Sequence, residues 1–202
     1  TWLLTADSTQ ATGVKWAAAA AAGISVYDRA FAVTLTNTAV ETNLYSKSVP
    51  GNTLGATQKF RITLLGTITS THTSATTFTL RFKWGATTYM SLVDYTATTG
   101  GGMGSDFPFL FVGEIQNLNA TNSQYAHGIM ETTTLSSDVV TLQTVILNAG
   151  SDGSTVFKMR VVATGTSALN TTSAQTLAIT GQWSTTAAAN SFVMRSTIVE
   201  QL

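Results

Sequence analysis

Apolar and polar residues alternate most regularly between Lys59 and Gly85, KFRITLLGTITSTHTSATTFTLRFKWG. Phe60, Ile62, Leu64 and Ile68 share one parity, and Arg61, Thr63 and Thr67 share the other. A period of two marks a strand buried on one face. After the polar stretch Ser70 to Thr76 the alternation resumes, with Phe78, Leu80, Phe82 and Trp84 on one side and Thr77, Thr79, Arg81 and Lys83 on the other. The two runs predict a long antiparallel hairpin. Its large apolar side chains need a second sheet to cover them, because a two-stranded ribbon is not stable alone.

Shorter runs of the same kind flank this stretch. Ala30 to Thr36 and Asn43 to Val49 read as strands, the second closed by the turn residues Pro50-Gly51-Asn52. Thr88 to Val93, Tyr125 to Thr134, Val139 to Leu147, Thr155 to Thr164, Thr176 to Ser184 and Ser191 to Gln201 follow, with Gly150 to Ser154 as a hairpin turn. Phe107 to Ile115, FPFLFVGEI, is apolar on both faces, as in a strand covered on both sides, and Pro108 places its start at an edge. About ten strands with turn signals at short spacing predict an all-β protein, a single jelly-roll β-sandwich. No domain boundary is visible between Ile24 and Leu202.

Residues 1–23, TWLLTADSTQATGVKWAAAAAAG, differ from the rest. Val14 to Ala22 is nearly all alanine, the best helix former, yet shorter than the roughly 12 to 15 residues an isolated helix needs. This segment is expected to be a short helical or extended stalk, packed on its own sandwich or on copies of itself. The chain thus divides into an N-terminal segment, 1–23, which the resemblance given below implies is a stalk or attachment segment, and a sandwich, 24–202, which it implies is a knob.

Composition narrows the function classes. A chain of 202 residues buries roughly 70% of its unfolded surface, so a core forms without staples. There is no cysteine, which excludes disulfides and thiolate metal sites and leaves the redox compartment open. Charged residues make up 10%, ten basic against ten acidic, where about 25% is usual. The Lys and Arg are scattered singly, so nucleic acid and anionic membrane are not expected partners. Threonine is unusually frequent and suits strands that are wet or at a subunit contact; a net charge of zero favours association. No apolar run reaches the roughly 18 to 20 residues needed to span a bilayer, and no signal peptide is visible. The chain does not begin with Met, as in a processed product or a piece of something longer.

The candidate chemistry is thin. The cluster Gly100 to Gly104 lacks the Lys-Ser/Thr pair of a phosphate loop, and Asp152 lacks the ligand spacing of a calcium loop. His72 falls in a polar loop. His127 has the strand parity of Tyr125, Ile129 and Glu131, a polar contact rather than a catalytic set, with no GxSxG or HExxH motif beside it. Trp84, Trp183, Tyr89 and Tyr95 are residue types that stack on sugars, but both tryptophans complete an inward alternation and read as core. Asn119-Ala120-Thr121 and Asn170-Thr171-Thr172 match the glycosylation triplet, which arises readily by chance in a Thr-rich chain. No catalytic residue, metal ligand or cofactor site is expected.

Two stretches carry a resemblance. LTADSTQATGVKWA, Leu4 to Ala17, is similar to a segment of tail-fibre and other appendage proteins of tailed bacteriophages. SVPGNTLGATQKFRITLLGTI (Ser48 to Ile68), TLRFKWGATT (Thr79 to Thr88), QNLNATNSQ (Gln116 to Gln124) and LAITGQWSTTAAANSFVMRSTIVEQL (Leu177 to Leu202) resemble a jelly-roll module of phage virion proteins. The resemblance implies a homotrimer on the external surface of a virion, with the alanine-rich segment near the threefold axis and other virion proteins of head or tail as partners. It implies a non-enzymatic structural role, a fibre or capsid-decoration knob, and brings no site residues with it. FPFLFVGEI would then meet the core with one face and a neighbouring subunit with the other, which makes Phe109 or Phe111 a candidate contact. A second expectation is a receptor-binding module that takes a host surface glycan through loops such as Thr96 to Asp106. A third is a polysaccharide-trimming enzyme dependent on His127 and a nearby carboxylate.

Overall fold

The computed structural model describes residues 2–6, 14–18, 25–70, 76–95, 97–98, 101–102, 104–135, 145–149, 155–187 and 190–202. Among these, all regular structure is strand: β1 (Trp2–Ala6), β2 (Val14–Ala18), β3 (Ser25–Thr36), β4 (Thr42–Val49), β5 (Lys59–Ser70), β6 (Thr77–Trp84), β7 (Thr87–Tyr95), β8 (Ala97–Thr98), β9 (Gly101–Gly102), β10 (Gly104–Asn117), β11 (Gln124–Leu135), β12 (Val145–Ala149), β13 (Thr155–Ser167), β14 (Gln175–Trp183) and β15 (Asn190–Gln201). A seven-stranded sheet, β12-β13-β11-β10-β5-β15-β3, faces a four-stranded sheet, β4-β14-β6-β7. Within them β3-β15-β5-β10 and β4-β14-β6-β7 form the two halves of a jelly roll, and β11, β13 and β12 extend the first half.

The stretch from Lys59 to Gly85 is not a hairpin. β5 pairs with β10 and β15, whereas β6 pairs with β14 and β7, so the chain crosses from one sheet to the other between them. The two apolar faces cover each other across the core instead of lying side by side. Alternation alone does not tell these arrangements apart, since both bury the same residues. Phe60, Ile62, Leu64 and Ile68 meet Phe78, Leu80, Phe82 and Trp84, each at most 1% exposed.

Aromatic rings bind the layers together. Phe78 of β6 stacks on Phe192 of β15, centroids 4.7 Å apart and 12° from parallel. Phe109 of β10 meets Phe192 edge-on at 4.9 Å, and Phe82 lies 6.1 Å from Phe111. Trp183 packs on Phe78 at 5.1 Å, completing the inward alternation of β14. Such pairs add about 0.5–1.5 kcal/mol each beyond the area they bury.

One further expectation changes. β10 is a central strand between β11 and β5, not an edge. Pro108 is tolerated there because it lies beside the register shift of Gly104 to Phe107, one residue before the ladder with β11 begins at Phe109. Of the two forms expected for the alanine-rich segment, Val14 to Ala18 takes the extended one, pairing with Trp2–Ala6 in a ladder separate from both main sheets. So short an alanine run cannot hold a helix by itself, and the ladder supplies its backbone with partners. Residues 19–22 and the turn expected at 150–154 lie outside the described residues, although Ala149 and Thr155 stand opposite each other as that turn requires.

Candidate interaction surface

The outer faces of the two sheets differ in chemistry. On the four-stranded sheet, Thr79, Arg81, Lys83, Thr180 and Gln182 point away from the core, and the segment 37–41 lies across them. There Gln182 Nε2 donates to the Ala39 carbonyl at 2.8 Å, and Glu41 accepts from Lys83 at 2.8 Å and from Thr180 Oγ1 at 2.7 Å. The hydrogen bonds from Lys83 and Thr180 hold the Glu41 carboxyl below its ordinary pKa.

On the seven-stranded sheet the register lines residues into rows. One outer row runs Arg29, Ile198, Thr63, Val112, Ile129, Val162, and the next runs Phe31, Ser196, Leu65, Leu110, Glu131. Phe31 is 66% exposed, Val162 59% and Leu65 46%. Because β10 is apolar at every position from Phe107 to Val112, one set of its side chains fills the core while the other stands in this band. Phe109, Phe111 and Ile115 are the inward set; Leu110 and Val112 are the outward set. Phe109 and Phe111, expected as candidate contacts, are therefore core residues, and the outer apolar surface belongs to their neighbours in sequence.

A shallow depression of about 370 Å³ opens in this face, walled by Leu65, Pro108, Leu110, Glu131 and Arg195. It lies beside an irregular ladder. A Cβ on Gly66 would lie 2.5 Å from the Val193 carbonyl oxygen, so only glycine fits where β15 slips register between Met194 and Ser196. Arg195 sits at that slip and is exposed.

A charged row borders the band: Glu200, Arg61, Glu114 and His127 stand side by side on β15, β5, β10 and β11. Glu114 accepts from Arg61 Nε at 2.7 Å and from Lys59 Nζ at 3.1 Å, and His127 Nε2 lies 3.7 Å from it. Burial pushes the Glu114 carboxyl up, but the hydrogen bonds and charges of Arg61 and Lys59 outweigh it and hold the pKa below the ordinary value. His127 also stacks obliquely on Tyr125, centroids 5.9 Å apart. Parity does put His127 on the outer face with Glu131, while the carboxylate it approaches is Glu114 on the neighbouring strand.

The other singled-out residues separate cleanly. Trp84 and Trp183 are core, at 1% and 0% exposure, and Tyr89 is buried with its hydroxyl bonded to Ser167. Asn119 and Asn170 are both exposed; Asn170 Oδ1 accepts from the Thr172 amide and hydroxyl in a local turn. Residues 71–75, with His72, and the side chains of 93–106, with Tyr95 and the expected glycan loop, lie outside what is described. Among the described residues no group of three His, Asp or Glu is placed to hold a metal ion.

One feature escaped the sequence reading. Asn117, Gln124 and Thr171 form a buried polar network at one end of the sandwich. Asn117 Nδ2 donates to the Leu54 and Gly55 carbonyls and to Thr171 Oγ1, each at 2.9 Å, and Gln124 Nε2 donates to Asn117 Oδ1 at 2.8 Å. The sequence signal was QNLNATNSQ itself, whose first Asn and last Gln close β10 and open β11.

No protein-family model and no curated protein sequence matches the chain. Among solved structures, it is similar to the CBM2 module of the evolved Dit of Lactobacillus casei BL23 phage J-1, at 12% identity and TM-score 0.33, covering 85% of this chain and 75% of that one. It is also similar to the infectious bursal disease virus VP2 subviral particle, at 14% identity and TM-score 0.26, covering 98% of this chain. The chain spans 46% of the length of that capsid chain.

Proposed function

We propose that this protein is a non-enzymatic structural component of a bacteriophage virion, a trimeric fibre or capsid-decoration knob on the particle's external surface. Residues 1–23 attach it to other virion proteins of head or tail, and residues 24–202 form the knob. The observation that carries this reading is the uncovered apolar band on the outer face of the seven-stranded sheet, where Phe31, Leu65 and Val162 stand about half exposed or more. Isolated exposed apolar residues are ordinary, but here Phe31, Leu65 and Val162 share one sheet face with the half-buried Leu110, Val112 and Ile129, a surface suited to contact with another protein. The sparse charge of the chain and its appendage-like N-terminal sequence point the same way. Light scattering on the full chain tests it: a mass three times that of the chain is expected, and a monomer overturns the trimeric knob.

A second reading is a module that binds a host surface glycan. It rests on the Tyr125–His127 ring pair, which stands beside Gln116 and Glu114 at the polar border of the same face. Aromatic rings flanked by amide and carboxylate groups suit the apolar faces and hydroxyls of a sugar. Binding to a glycan array that disappears with Tyr125→Ala supports it, and an array without hits removes it.

A further inference from the structure

On the outer face of the four-stranded sheet, a carboxylate of the chain itself occupies a basic position. The register sets Asn43, Thr180, Arg81 and Ser91 side by side across β4, β14, β6 and β7, and Lys83 follows Arg81 on the same face. Glu41, from the segment between β3 and β4, reaches into this row. Its Oε1 accepts from Lys83 Nζ at 2.8 Å and from Thr180 Oγ1 at 2.7 Å, while its Oε2 faces Arg81 Nη1 at 3.6 Å. Thr180 is 4% exposed, so the carboxylate rather than water satisfies its hydroxyl. The distance to Arg81 is too long for a hydrogen bond. Arg81 Nη1 is buried and has no hydrogen-bond partner among the described residues. One carboxylate therefore stands against two cations and leaves a guanidinium donor unused, although that planar fork is made to take a carboxylate at two points.

We propose that Arg81, Lys83 and Thr180 form a binding site for a carboxylate-bearing sugar chain, and that Glu41 is its tethered competitor. Glu41 shows the group that the site accepts, a carboxylate with one oxygen toward Lys83 and Thr180 and the other toward Arg81. An incoming carboxylate not tied to the backbone can approach Arg81 closely enough to use the donor that Glu41 leaves free. Asn43 and Ser91, both exposed, flank the cations with an amide and a hydroxyl. Such uncharged donors and acceptors suit the ring hydroxyls of a sugar. The site lies on the opposite sheet from Tyr125 and His127, so it stands whether or not that ring pair binds a glycan.

Little holds Glu41 in place. Its neighbour Val40 is 70% exposed, so polar contacts rather than apolar burial keep this segment on the sheet, among them Gln182 Nε2 donating to the Ala39 carbonyl at 2.8 Å. The Glu41 side chain is itself 33% exposed, and ion pairs of that kind are weak and screened by salt. Rotation about its side-chain bonds takes the carboxylate into water without moving a strand. A tethered group competes at a fixed effective concentration, whatever the dilution of the protein. The apparent affinity for an outside ligand falls by the fraction of time that the site is open. With Glu41 in place nine-tenths of the time, its removal tightens binding about tenfold.

Isothermal titration calorimetry of the full chain with oligogalacturonate at low salt tests the proposal, with thermal unfolding to check that each variant folds. Glu41→Gln is expected to bind about tenfold more tightly than wild type. Adding Arg81→Met to Glu41→Gln should return the affinity to the wild-type level or below. Glu41→Ala and Lys83→Met serve if Glu41→Gln or Arg81→Met does not fold. Glu200→Gln, on the other sheet, changes the net charge by the same amount and should bind as wild type does. The proposal is overturned by no gain in Glu41→Gln, by an equal gain in Glu200→Gln, or by a gain that survives the loss of Arg81. Two further ligands test the chemistry. A neutral dextran oligomer that gains as much from Glu41→Gln shows that the carboxylate is not what is recognised, and inorganic phosphate that binds more tightly than oligogalacturonate assigns the site to a phosphate instead; either result overturns the acidic sugar.

Discussion

The two N–H groups of the Asn117 side-chain amide are shared among three acceptors on two loops, the carbonyls of Leu54 and Gly55 and the hydroxyl of Thr171, while its own oxygen accepts from Gln124. Asn117 is 4% exposed, so water cannot replace these partners. Asn117→Ala should cost about 2–4 kcal/mol of unfolding free energy, since several buried groups lose their partners at about 1–3 kcal/mol each. Urea denaturation measures it, with the exposed Leu118→Ala as the control that stays near wild type. Glu114 offers a test in pH. Its folded pKa lies below the ordinary 4.5, so its contribution to stability is complete above that value and is lost as pH falls through the lowered one. Glu114→Gln should therefore lower the urea midpoint at pH 7, with the gap to wild type closing toward pH 3. At the residue scale the sequence was legible wherever parity decided burial, as for Trp84, Trp183 and Phe82. It was illegible for Asn117 and Gln124, because an amide in a polar string looks the same whether it meets water or four buried partners.

β10 is the element in which the two sides of the large sheet can be compared directly. Phe111→Ala on its inner side should cost about 3–5 kcal/mol of folding stability and leave stoichiometry unchanged. Leu110→Lys on its outer side should leave the thermal midpoint close to wild type and reduce the assembly state seen by light scattering. The reverse pattern would mean that the band is not a contact. The run FPFLFVGEI announced two apolar faces but not which residues took which, because Pro108 and the irregular ladder after Gly104 obscure where the alternation starts. The same limit explains the crossing between β5 and β6. Two amphipathic strands separated by a polar segment satisfy burial either as neighbours or as facing layers, and the choice is made by β10, β14 and β15, more than a hundred residues away in part.

At the scale of the whole molecule, β13 of the large sheet comes into backbone contact with β7 of the small one. A Cβ on Gly165 would lie 2.0 Å from the Tyr89 carbonyl oxygen and within 3.0 Å of the Tyr89 backbone carbons. Gly165→Ala must push two strands apart, and it should lower the midpoint of thermal unfolding by more than any of the surface changes above. The class of fold and its strand count were legible from turn spacing and period, because those are local properties. The outer band was not, since its rows assemble Phe31, Leu65, Leu110 and Val162 from four distant strands. Nor was the ladder of β1 and β2, whose backbone pairs instead of coiling despite the alanines.

The nested pairing of the jelly roll also governs how the sandwich bears load. Its first and last strands, β3 and β15, are hydrogen-bonded neighbours, and Ser25 stands opposite Gln201. Tension applied between those two points peels the ladder one rung at a time, the weakest way to pull a sheet. Tension between Ser25 and the far end of the sandwich strains many rungs at once. The sandwich therefore resists traction on its far end and yields readily to traction between Ser25 and Gln201.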